Sequence, residues 1–261
     1  MVRFVLGGLM LAVTGLPAIA GSAENHNVSS MRFEWHREGP SALCGDTCRT
    51  WISAVGPITD QTPADFEAFA GGKDLHAATL VLDSEGGAVV ETLALGRTLR
   101  RLGVSTTVGK TLTSSVADGS LRITLSGAAS CESMCVFLLL AGEHRYVPAE
   151  AHVLIHQIWL TKKSKGAEKA SYTADDLVVV ERDIGRLAHY TIEMGGGIEL
   201  LEKALQVPPW EPLYRLSGDE IRSTGLSNAD QLFTPEVRNV AAAPSALPYL
   251  AGALPASGAP D

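Results

Sequence analysis

Between Ala77 and Val108 the chain reads as one strand–helix–strand unit, and that unit restricts it to few architectures. Ala77 to Leu82 is a continuous apolar run of the kind buried on both faces of a sheet. Gly86-Gly87 follow, then a helical pattern with apolar residues at Val89, Leu93, Leu99 and Leu102, and after Gly103 a second strand from Val104 to Val108. Two strands joined by a crossover helix with short connections pair in parallel, so the expected class is α/β with a parallel core.

The flanking segments fit around that unit. Met31 to Trp35 alternates weakly, and Trp51 to Ile58 reads as a strand closed by Gly56-Pro57. Thr62-Pro63 starts a helix, with Thr62 as N-cap and Pro63 at the first helical position. Gly109 to Gly127 carries Asp118-Gly119 between two β-prone runs and predicts a hairpin. A helix opening at Ser133 and ending near Gly142, a strand over Ala151 to Gln157 and an exposed loop over Lys162 to Ala170 come next. Thr173 caps a long helix with the stripe Leu177, Val180, Ile184, Leu187 and Thr191; a helix over Ile198 to Leu205 and a capping box at Ser217 to Glu220 complete the set.

The ends of the chain have other compositions. Arg3 precedes an apolar run from Phe4 to Ala20 that closes on Ala18-Ile19-Ala20, the pattern of a secretory signal peptide cleaved after Ala20 or Ala23. As a membrane anchor that run is short and broken by Gly7, Gly8, Gly15 and Pro17, and no later segment approaches the roughly 18 to 20 apolar residues of a span. The expected organisation is a signal peptide over 1–20, an N-terminal extension over 21–50, one domain over 51–233 and a disordered Ala/Pro-rich tail over 234–261, in a periplasmic or secreted protein. A net charge of −8, with no basic cluster larger than Lys162-Lys163-Ser164-Lys165, argues against a nucleic-acid partner.

Four cysteines stand in two pairs with the same spacing, Cys44 with Cys48 and Cys131 with Cys135. In an exported chain they are disulfide candidates; local pairing would staple one turn each, and cross-pairing of the two motifs stays open. Four thiolates holding zinc is the other reading, at a spacing looser than that of common zinc sites. His144, His152 and His156 lack the close pairing of a metal cluster, so no metal and no cofactor are expected.

Three motifs carry possible chemistry: Ser84-Glu85-Gly86-Gly87 after an apolar strand, Cys131-Glu132-Ser133-Met134-Cys135 before the apolar run Val136 to Ala141, and Ile155-His156-Gln157 at a strand end. A serine at a helix start sits among free N–H groups, a histidine can take its proton, and a diglycine turn can present an amide to an oxyanion. Each also has a plain structural reading: serine is a preferred N-cap, a lone histidine on an apolar strand is commonly satisfied by a backbone carbonyl, and two glycines suit a tight turn.

Taken in order, these motifs resemble the Clp protease proteolytic subunit family (ClpP) within the ClpP/crotonase superfamily. Ser84 to Gly87 resembles its Ser-Pro-Gly-Gly turn, Ser133-Met134 its Ser-Met nucleophile, Ile155 to Gln157 its histidine strand, and Leu216 to Leu226 its Leu-Ser-x-x-Glu to Gly-Leu ending. The resemblance covers Trp51 to Leu226 and implies a single-domain spiral of ββα units. It implies Ser133 as nucleophile, His156 as base, the N–H groups of Gly87 and Met134 as oxyanion donors, a peptide or small acyl substrate, and a homo-oligomer joined through the region of the Thr173 helix. Departures stand beside it. Glu85 replaces the family's proline, Cys131-Glu132 replace small residues, and Leu213 stands at the position of the family's aspartate, with Glu211 the nearest substitute and Asp175 or Asp176 further ones. A catalytically silent binding or scaffold protein of the same fold is the alternative function.

Overall fold

The edge of the main sheet is built from a segment expected to lie outside the domain. In the computed structural model, which describes residues 29–117, 119–160 and 167–233, strand β1 (Arg32–Arg37) pairs antiparallel with β2 (Thr50–Val55), Phe33 opposite Ala54 and Trp35 opposite Ile52. After the short helix α1 (Ser41–Cys44) between β1 and β2, helix α2 (Thr62–Ala70) carries Phe66, against which Phe33 packs edge-on with ring centroids 5.1 Å apart. The domain therefore begins before Trp51, because β1 pairs along the whole of β2 and its Phe33 packs onto α2. Residues 1–20, 234–261 and 161–166, and Asp118 of the hairpin turn, lie outside the described residues.

The strand–helix–strand unit forms as its pattern predicts. Strand β3 (Thr79–Asp83), helix α3 (Val89–Arg101) and strand β4 (Ser105–Val108) give parallel pairing, with Leu80 opposite Thr106 and Leu82 opposite Val108. β2 lies parallel on the other side of β3. Strand β5 (Lys110–Ser115) and strand β6 (Leu121–Ser126) make the predicted hairpin. Strand β7 (Ser130–Glu132) leads into helix α4 (Met134–Leu140), and strand β8 (Arg145–Tyr146) completes the five-stranded order β1-β2-β3-β4-β8. Strand β9 (His152–Ile155) runs parallel to β7, and strand β10 (Tyr214–Arg215) antiparallel to β9, as a second sheet of three strands.

The two sheets meet at Ser84, just beyond β3. Its N–H donates to Ser130 O at 2.9 Å and its carbonyl accepts from Glu132 N–H at 2.9 Å, so β7 continues from the end of β3. Helices α5 (Ala174–Glu193) and α6 (Glu199–Leu205) lie between β9 and β10 and α7 (Gly218–Ser223) follows β10, α5 and α7 each opened by a capping box, from Thr173 with Asp176 and from Ser217 with Glu220. Thr62 is not a cap: it lies in the first turn of α2, fully buried, and accepts from Thr59 N–H at 2.8 Å. The whole is a mixed α/β domain.

Helix α4 is the centre of the core. No residue from Met134 to Leu140 is more than 2% exposed, as expected for a helix apolar on every side. Its end would strand buried carbonyls, and two arginines supply the donors. Arg100 reaches Leu140 O, Ala141 O and Gly142 O at 2.8 to 3.1 Å, and Arg145 reaches Gly142 O at 2.9 Å and Gly225 O at 2.8 Å. Arg145 is buried with no carboxylate partner among the described residues; burial, and then the neighbouring Arg100 charge, lower its pKa to about 10.

Candidate active site

Ser133 sits at the corner where β7 becomes α4, in a conformation that L-residues rarely adopt. Its φ of 53° and ψ of −121° make it, with Ala77, one of two non-glycine residues of positive φ among the described residues. Such a conformation costs on the order of 1–3 kcal/mol and persists only where the surroundings enforce it. The serine N–H donates to Leu154 O on β9 at 2.8 Å, and its carbonyl accepts from Val136 N–H at 3.1 Å. Its side chain makes no capping hydrogen bond to α4, which removes the plain reading of a helix cap. The hydroxyl, half-buried, is left for other work.

Both disulfides close locally, Cys44 to Cys48 and Cys131 to Cys135. Cross-pairing is thereby excluded, and zinc with it, since all four thiolates are consumed. Cys131 and Cys135 are fully buried, so their bridge is part of the core, while Ser133 between them stays half-buried.

His156 follows β9 directly. Register pairs Glu132 with Leu154, so Ser133 and His156 lie at the C-terminal ends of two neighbouring parallel strands. Burial lowers the histidine pKa below its ordinary value, opposed by a backbone hydrogen bond with Gln157. The ring is therefore neutral, and able to accept a proton, at neutral pH. Among the described residues it makes no direct hydrogen bond to Ser133 Oγ and no ion pair with a carboxylate. The Tyr214 to Ile155 pairing, extended by one step, sets Leu213 opposite His156, while Glu211 lies exposed in the preceding turn. Asp176 is engaged in its capping box. The structure thus sets Ser133 and His156 on neighbouring strand ends with the glycine turn against Ser133, and among the described residues no carboxylate pairs with the ring.

The glycine turn is locked against that corner. Ser84 Oγ donates to Gly56 O at 2.8 Å and accepts from Gly86 N–H at 3.1 Å; Ile58 N–H binds Gly86 O at 2.7 Å, and Ala88 N–H binds Ile58 O at 2.9 Å. Gly86 and Gly87 have φ of 87° and 145°. A Cβ on Gly86 would stand 2.5 Å from Glu132 O and 2.7 Å from Met134 N, and one on Gly87 2.0 Å from Ile58 O, so both positions require glycine. Neither Gly87 N–H nor Met134 N–H donates to another described residue. The glycine turn packs on the serine, a Cβ on Gly86 standing 3.0 Å from Ser133 Cβ, and unbonded amides flanking a serine are what an oxyanion site requires.

Sequence reasoning passed over the roles of Ser84 and Leu154. Ser84 stands within a recognised motif, but its lock depends on Gly56, which only the pairing of β2 with β3 brings near. Trp159, read as either a packing or a groove residue, packs edge-on against Tyr172 and donates to its hydroxyl at 3.1 Å, whereas Trp210 is exposed. Among the described residues no group of three His, Cys, Asp or Glu side chains is gathered as metal ligands. Compared with known protein families and with curated proteins, the chain matches none.

Proposed function

We propose that the protein is an exported, ClpP-like serine hydrolase acting on a peptide or small acyl substrate. The observation that carries this reading is Ser133 at positive φ, uncapped, with the free N–H groups of Gly87 and Met134 beside it and a neutral histidine on the adjoining strand end. Ser133 Oγ attacks the acyl carbon as His156 takes its proton. The oxyanion is received by the two amides, and His156 returns the proton to the leaving group before water completes the cycle. The two disulfides fit an oxidising compartment, periplasmic or secreted, in keeping with the pattern over residues 1–20.

A second reading is favoured by one observation, the absence of a carboxylate on His156 among the described residues. In it the fold keeps the pocket geometry and serves as a binding or scaffold protein without turnover. A fluorophosphonate probe separates the two. The hydrolase reading expects covalent labelling of the wild type and none of Ser133→Ala; a wild type left unlabelled under both oxidising and reducing conditions leaves the scaffold.

A further inference from the structure

We propose that the Cys131–Cys135 disulfide is the positioning clamp of Ser133, closed only when the chain folds under oxidising conditions, so that the serine's reactive geometry is withheld in a reducing compartment. The proposal rests on Ser133 being the nucleophile and adds what holds it in place.

The bridge joins the residue two before Ser133 to the residue two after it and holds their Cα atoms 5.2 Å apart. An extended stretch of that length would span roughly 13 Å, and even four helical steps rise about 6 Å. Cys131 and Glu132 are extended in β7 while α4 starts at Met134, so the chain turns between them within that chord, and Ser133, at φ 53°, is the residue that makes the turn. Relaxation toward the outside is blocked, because Gly86 lies against the Glu132 carbonyl and the Met134 amide with no room for a Cβ. Relaxation toward the core is opposed by the disulfide together with two hydrogen bonds of Ser133, its N–H to Leu154 O and its carbonyl from Val136 N–H, and the disulfide is the covalent one of these ties.

Burial then makes the clamp conditional on the place of folding. Both cysteines are fully buried, so the bond forms before the core closes. One cysteine thiolate attacks the disulfide of a thiol–disulfide oxidant, and the second displaces it from the mixed disulfide. The two thiol protons end on the oxidant's sulfurs, and it leaves as a dithiol, reduced by the two electrons the cysteines give up. In a reducing compartment the pair remains as thiols and the chord is free.

The test compares the protein produced under oxidising conditions with Cys131→Ala/Cys135→Ala, Cys44–Cys48 being left intact, and with Cys131→Val/Cys135→Ala, which refills part of the core. Two readouts are taken. The first is the intraresidue amide-to-Hα nuclear Overhauser effect of Ser133, whose strength reports positive φ independently of any reaction. The second is the rate of fluorophosphonate labelling. The clamp predicts variants with native far-UV circular dichroism that lose the positive-φ signature and label about 100-fold more slowly. A folded variant that keeps the signature overturns the clamp whatever its labelling rate. Loss of the signature in a protein whose wild type never labels supports the clamp and defeats the hydrolase.

Discussion

His156 shows how one side chain's surroundings set its use. Burial disfavours the imidazolium, so its folded pKa lies below the unfolded value of about 6.5. Its contribution to stability is accordingly intact above that pH and is lost as pH falls through the folded pKa, since the unfolded chain takes up the proton first. The same shift predicts the rate profile. Labelling of Ser133 by a fluorophosphonate should rise with pH to a plateau, with an apparent pKa below 6.5, and His156→Gln should slow it by about 10²- to 10⁴-fold. A profile with its midpoint above 6.5 would mean that a carboxylate reaches the ring after all. Histidine and serine were both legible as candidates from their motifs. That Ser133 is not a cap was not legible, because a helix cap and a positive-φ corner use the same residue in the same place.

At the scale of elements, the short buried helix α4 depends on side chains far away in sequence. A helix of seven residues with no exposed face cannot hand its last carbonyls to water, and Arg100 and Arg145 take that role from α3 and β8. Replacing Arg145 by Met leaves the Gly225 carbonyl without its donor and Gly142 O with Arg100 alone, and should destabilise the fold by about 1–3 kcal/mol, read as a lower midpoint in urea. A loss under 0.5 kcal/mol would show that water replaces the guanidinium. The elements themselves were largely readable. The β3–α3–β4 unit, the hairpin, the cap at Thr173 and the capping box at Ser217 rest on local pattern. Residues 21–50 misled because β1 alternates only weakly, and its place in the sheet is decided by pairing with β2 and by Phe66.

Across the whole molecule the two disulfides occupy opposite environments. Cys44 and Cys48 are half-buried in a surface turn, and Cys131 and Cys135 are sealed in the core. A mild reductant followed by alkylation under native conditions should therefore modify Cys44 and Cys48 first, two additions by mass spectrometry, with the other pair reacting only on unfolding. Equal rates for the two pairs would show that the β7–α4 corner opens in the native state. The sequence by itself determined the α/β class, the pattern of a leader over residues 1–20, the candidate cysteines and the ordered set of Gly86-Gly87, Ser133 and His156, since each follows from local composition, periodicity or motif order. Only the tertiary structure decided which cysteines pair, that Ser133 holds positive φ, that Ser84 locks the glycine turn and that Leu213 rather than a carboxylate continues the register opposite His156. Each of those depends on a contact between residues that the chain brings together only when its sheets form.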